Sequence, residues 1–96
     1  MEIDERIRQG VEFLDQDSPG WEEVISLVGL HLSSCYNCIL GQVYGYYAEG
    51  VRRLDALELD PVECGFDCGI TEDTSYRELQ QVWKDYIRER RLAQTT

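Results

Sequence analysis

Ile3, Ile7, Val11 and Leu14 recur three or four residues apart with charged residues between them. This spacing predicts an amphipathic helix from Ile3 to Asp15. Asp17-Ser-Pro-Gly20 breaks it. Ser18 before Pro19 is itself a helix start, a cap followed by proline, and Glu22 and Glu23 suit a helix N-terminus, so a short helix through Trp21 and Ile25 follows. From Ser26 to Leu32 the apolar alternation is interrupted by Gly29, which reads as a loop or one short strand without a partner. From Cys35 to Leu54 the positions Ile39, Val43, Tyr46/Tyr47, Gly50/Val51 and Leu54 follow a 3.6-residue period, predicting the longest and most apolar helix, at the centre of the fold. Gly41, Gly45 and Ala48 lie on it three or four apart. A glycine inside a helix costs about 1 kcal/mol, so this row predicts close approach by a neighbouring helix. Asp60-Pro61 opens a further helical turn ending at Cys64-Gly65, and Ser75-Tyr-Arg-Glu78 is a capping box. Beyond it Tyr76, Leu79, Val82/Trp83 and Tyr86/Ile87 form the stripe of a last helix, with Arg88, Arg90 and Arg91 at its C-terminal end, where the helix dipole favours cations.

The pattern predicts an all-α fold: a small bundle of three main helices plus one or two short helices around the central Cys35–Leu54 helix. It forms one domain over residues 1–96, with 1–2 and 93–96 frayed. The composition agrees. Apolar residues make up 43% of the 96, enough for a core and too many for a disordered chain. No stretch of about 18 apolar residues is present, so no membrane span is expected. The acidic start runs directly into helical pattern and does not resemble a signal peptide, which points to a cytoplasmic protein.

Charge changes the picture of partners. The formal net charge is −10, with eight carboxylates against two arginines in residues 1–23, the same balance in 24–75, and five cations against three carboxylates from 76 onward. Such a field opposes direct binding to nucleic acid or anionic lipid and favours a basic partner. Arginine outnumbers lysine eight to one, which suggests a GC-rich genome.

Candidate chemistry is concentrated in four cysteines, Cys35-Tyr-Asn-Cys38 and Cys64-Gly-Phe-Asp-Cys68. Two short cysteine pairs on separate elements suit a tetrahedral structural zinc held by Cys35, Cys38, Cys64 and Cys68. The same residues can instead be reduced core hydrophobes, disulfides or a thiol switch, or ligands of an iron–sulfur cluster. His31, four residues before Cys35, could replace one cysteine, but a lone histidine in a Leu-x-Leu frame reads better as structural. In the redox reading Cys35 attacks and Cys38 resolves, yet the βαβ frame of thioredoxin-type enzymes is missing. Glu22-Glu23 and Glu72-Asp73 read as helix-start acids rather than paired catalytic carboxylates. With one histidine there is no Ser–His–Asp set, so the chain is not expected to be an enzyme. Trp21 and Trp83 read as core anchors, each tying a flanking helix to the central one. Tyr44, Tyr46 and Tyr47 cannot share one narrow stripe, and Tyr44 and Tyr47 are the candidates for a tyrosine-bearing interaction face.

The block Pro19-Gly-Trp21, then Leu32-Ser-Ser-Cys-x-x-Cys38-Ile-Leu-Gly-Gln42-x-Tyr-Gly45, then Gly65-Phe-Asp67, resembles a group of short proteins of actinobacteria and their phages with no established activity. The resemblance spans roughly residues 10–92 and implies a bacterial or phage-encoded cytoplasmic protein. It lends no catalytic residue. In that group the Gly-Phe-Asp element commonly lacks flanking cysteines, which implies a role for Cys35 and Cys38 apart from Cys64 and Cys68. The expected function is a small acidic protein that works by contact with an as yet unknown protein partner, with zinc as a candidate staple. The alternatives are a thiol-redox or redox-sensing protein using Cys35 and Cys38, and an acidic nucleic-acid mimic.

Overall fold

A computed structural model describes residues 2–67 and 75–94, and every described element is helical. The order is α1 (Ile3–Asp17), α2 (Trp21–Val24), α3 (Ile39–Tyr44), α4 (Tyr47–Ala56) and α5 (Tyr76–Gln94). The all-α expectation holds.

Helix α1 buries Ile7, Val11 and Leu14 of the predicted stripe together with Gly10 and Phe13, while Ile3 is only partly buried against the core. It closes when Ser18 N–H donates to the Leu14 carbonyl at 2.8 Å. Helix α5 begins as its capping box predicts, with Glu78 N–H donating to Ser75 Oγ at 3.1 Å, and it buries Leu79, Trp83 and Ile87. The turn after Pro61 is also as expected: Asp60 Oδ1 accepts from Val62 N–H at 2.8 Å, and Cys64 N–H returns to the Asp60 carbonyl at 3.0 Å. The segment 26–32 is a loop.

The predicted central helix from Cys35 to Leu54 is corrected. It is two helices with a corner between them, and Cys35 lies ahead of both. Gly45 has φ +100° and Tyr46 is extended, so the chain leaves α3 and re-enters α4 in a new direction. The small residues explain why. A methyl group on Gly41 would sit 2.5 Å from the Cys35 carbonyl oxygen and 2.7 Å from Tyr36 backbone, and one on Gly50 would meet Leu40 at 2.7 Å. The row of glycines therefore folds this segment onto itself instead of admitting another long helix. Gly45 is in open space, so its cost of replacement is conformational alone. Gly45→Ala and Gly45→Asn should both destabilise by about 1–2 kcal/mol, because φ +100° with ψ −38° lies outside the left-handed well that asparagine tolerates. Urea denaturation of the pair checks this.

The core is one cluster of side chains from α1, α2, α3, α4, α5 and the loops at 30–32 and 64–66. The two tryptophans differ from expectation: they anchor each other. Trp21 meets Trp83 edge-on at 6.0 Å between ring centroids, and Trp83 stacks on Phe66 at 5.5 Å. The C-terminal arginines likewise do more than face a helix dipole. Arg90 grips both Asp15 oxygens at 2.6 and 3.2 Å while lying over Trp21. The Arg91 guanidinium donates to the carbonyls of Glu22 and Ile25, acceptors left open at the end of the four-residue α2. Arg90 and Arg91 thus hold α1 and α2, while Arg88 pairs within α5 with Asp85 at 3.6 Å.

Candidate functional site

The cysteine segment is a single pinned turn. Cys38 N–H donates to the Ser34 carbonyl at 3.2 Å, which makes residues 34–38 one α-type turn. Ser34 Oγ accepts from Tyr36 N–H at 3.3 Å and Asn37 N–H at 3.1 Å. The Asn37 carbonyl accepts from His31 N–H and from the Gln42 amide, both at 3.0 Å. Gln42 also reaches across to Ser26, accepting from its N–H at 2.6 Å. Finally, Tyr47 N–H, at the start of α4, donates to the Cys35 carbonyl at 2.7 Å. His31 serves this turn through its backbone, and its side chain is exposed.

Within the turn the two sulfurs differ. Cys38 is the N-cap of α3, with its Sγ accepting from Gly41 N–H at 3.2 Å, and it is 1% exposed. Burial pushes its thiol above the usual range, and neighbouring N–H groups pull only partly the other way. Cys35 is exposed. Cys64 lies elsewhere, fully buried, with its carbonyl against Gly10 of α1. Burial first, then the charges of Glu63 and Asp60, push its thiol up to about 11. Cys35, Cys38 and Cys64 are all free thiols. Cys68, the fourth member of the expected zinc set, lies outside the described residues. Among the described residues no three of His, Cys, Asp and Glu gather where they could hold a metal ion. One labelling result follows. A thiol reagent on the native protein should modify Cys35 about 100-fold or more faster than Cys38 or Cys64, since those two must wait for local opening. Peptide mapping over time checks it.

Beside Cys35 is a cleft of about 160 Å³ lined by Leu32, Ser33, Ser34, Cys35, Tyr47, Asp67 and Tyr76. Asp67 organises its far wall: its two oxygens accept from the Tyr47 hydroxyl at 3.1 Å and the Tyr76 hydroxyl at 2.7 Å. Burial, then the Asp67 charge, hold the Tyr47 phenol well above its ordinary pKa, so it is a fixed donor and not a base. Asp67 and Tyr76 were not singled out as chemistry from the sequence. The signal was the Gly65-Phe-Asp67 element, whose residues the fold now explains in turn. The Gly65 carbonyl accepts from the Trp83 indole at 2.6 Å, Phe66 stacks on Trp83, and Asp67 binds the two tyrosines.

The other candidate interface residue, Tyr44, is half-buried. Its hydroxyl donates to Asp17 at 2.8 Å, and Arg53, itself paired with Asp17 at 3.1 Å, lies over its ring. Burial, then Asp17, raise its phenol pKa as well. Tyr44 and Tyr47 both turn their hydroxyls to carboxylates of their own chain. The more exposed tyrosines are Tyr36 at 69% and Tyr46 at 43%.

A second groove, of about 230 Å³, runs between α1 and the segment after α4, lined by Gln9, Glu12, Phe13, Gln16, Leu57 and Leu59. Leu57 is 55% exposed in it. The chain closes α4 here by a paired-bond cap: Leu59 N–H donates to the Leu54 carbonyl at 2.9 Å and Glu58 N–H to the Asp55 carbonyl at 3.0 Å. Such a cap puts its middle residue in the left-handed region, where glycine is usual. Here that residue is Glu58, with φ 58°, the one non-glycine residue of positive φ among those described. No described helix is long and apolar enough to cross a membrane. Comparison of the chain with models of known families, with curated proteins and with solved structures found no match.

Proposed function

We propose that this protein is a non-enzymatic interaction module that binds a basic, amphipathic segment of a protein partner in the groove between α1 and residues 57–59. The observation that carries this reading is Glu58. A non-glycine residue in the left-handed region costs about 1 kcal/mol or more, and unrelieved strain of this kind concentrates where side chains have work to do. Glu58 lies between Leu57 and Leu59, which line the groove, so what this position gains by refusing glycine is a carboxylate in the segment that forms one groove wall. Glu12 stands on the opposite side, Asp55, Asp60 and Glu63 are near in sequence and exposed, and none of these five carries an ion pair among the described residues. Phe13, Leu57 and Leu59 supply the apolar lining. An apolar strip edged by carboxylates is complementary to a helix or strand carrying leucine-like residues on one face and lysine or arginine beside them. The net charge of −10 would speed that encounter and make it salt-sensitive.

Glu58→Gly separates stability from binding. It should raise unfolding free energy by about 1 kcal/mol by relieving the backbone, and it should weaken binding of a model Leu/Lys amphipathic peptide. Glu12→Lys combined with Glu58→Lys should weaken that peptide roughly tenfold or more. Calorimetric titration, with amide shifts at Leu57 and Leu59 as the locator, tests both. Equal affinity for plain polylysine, or shifts elsewhere, would overturn the reading. The resemblance to actinobacterial and phage proteins makes a host protein the natural place to look for such a segment.

A further inference from the structure

Independently of that groove, we propose that Cys35 and Cys38 are a reversible dithiol–disulfide pair, oxidised by hydroperoxides through Cys35 and closed by Cys38. The placement carries this. Residues 34–38 form one α-type turn, and in that geometry Cα atoms three apart are roughly 5 Å from each other, inside the range that a disulfide spans. The turn is held by the Ser34, Asn37, Gln42 and Tyr47 hydrogen bonds described above, and Gly41 packs its Cα against the Cys35 and Tyr36 backbone, so the two cysteines stay one turn apart. Cys35 is exposed and lines a cleft of about 160 Å³ that a small oxidant can enter, while Cys38, one turn later, is buried. Cys35 also lies within electrostatic reach of Cys38. Cys64, by contrast, is sequestered against α1.

The chemistry is a two-electron oxidation in two steps. The Cys35 sulfur attacks the terminal oxygen of a hydroperoxide. The O–O bond breaks, the alcohol or water leaves with the thiol proton, and Cys35 becomes a sulfenic acid. The Cys38 sulfur then attacks the Cys35 sulfur. The S–S bond forms as the S–OH bond breaks, and hydroxide leaves as water with the Cys38 proton. Two thiols are oxidised and one peroxide is reduced. The closed disulfide takes Cys38 Sγ away from Gly41 N–H, so oxidation removes the cap from α3.

The test uses the full chain, fully reduced and then treated with hydrogen peroxide. The expected product is lighter by two hydrogens, yields a peptide linking Cys35 to Cys38, exchanges the Gly41 amide faster than the reduced form, and returns to the starting mass with dithiothreitol. Cys38→Ser keeps an oxygen cap on α3 and should therefore stay folded. In it the sulfenic acid should persist at Cys35 and be captured by dimedone, whereas the unaltered chain gives little adduct. A bridge from Cys35 to Cys64 or Cys68 would overturn the proposal. So would overoxidation of Cys35 in the unaltered chain with no bridge to Cys38, or no reaction at all under peroxide that oxidises free cysteine.

Discussion

Gly10→Ala should cost this protein about 3 kcal/mol, the upper end of what overpacking costs, and lower its melting temperature by roughly 12–24 °C for a domain of this size. The reason is one atom. A methyl group built on Gly10 falls 2.1 Å from the Cys64 carbonyl oxygen, with Phe66 at 3.1 Å and Trp83 at 3.2 Å behind it. The first obstacle is backbone and the other two are rings in the core, so no rotamer change relieves it. Helix α1 must retreat from the 64–66 turn, opening Ile7, Val11 and Leu14 together. Gly50→Ala is the comparison. Its nearest obstacle is Leu40 Cβ at 2.7 Å, which moves only with the α3 backbone, with the Leu40 methyl groups at 2.9 and 3.0 Å. The about 1 kcal/mol of helix propensity that alanine gains offsets only part of that clash, so this variant should lose stability too, by less than Gly10→Ala. Thermal melts followed by circular dichroism compare both with the unaltered chain. A Gly10→Ala melting temperature equal to that of the unaltered chain would mean that α1 does not rest on the Cys64 carbonyl.

Trp83→Ala should be larger still, about 3–5 kcal/mol, enough to unfold a domain of ordinary marginal stability at 37 °C. Trp83 is fully buried, stacks on Phe66 with 13° between ring planes, and meets Trp21 at 90°. It therefore joins α5, α2 and the 64–67 turn at one point. Trp83→Phe separates its two roles. Phenylalanine keeps much of the stack but has no indole N–H, so the Gly65 carbonyl loses its donor at a cost of about 1–3 kcal/mol. Because Asp67 follows directly, that variant should also disturb the cleft beside Cys35. Denaturant unfolding gives the energies, and the Cys35 labelling rate reports the cleft. An unchanged rate in Trp83→Phe would mean that Asp67 is positioned by Tyr47 and Tyr76 without help from the turn.

The helices that could be read from the sequence are those whose signals are local. The stripe from Ile3 to Leu14, the Ser75–Glu78 capping box and the Asp60-Pro61 start all act within four or five residues, so each is written where it operates. Cys35–Leu54 reads as one helix, and folds as two, for a physical reason. A period of 3.6 persists whether or not a glycine inside it turns left-handed, and Gly45 takes that freedom because Gly41 and Gly50 pack against chain on either side of the corner. The pairing of Trp21 with Trp83 was equally hidden, since periodicity names a buried face but not what it meets.

At the candidate sites the same division holds. Cysteine spacing by itself determined that Cys35 and Cys38 share a turn, periodicity and capping signals determined the all-α class, and composition determined the net negative charge. Only the tertiary structure decided that Cys38 caps a helix from inside while Cys35 faces a cleft, that Asp67 gathers Tyr47 and Tyr76, and that Tyr44 is engaged with Asp17. It also decided that Glu58, one of nineteen acids in the sequence, occupies a glycine position. Such roles depend on which distant residue arrives opposite, and arrival is set by packing of the whole core, a sum of contacts that no local pattern records.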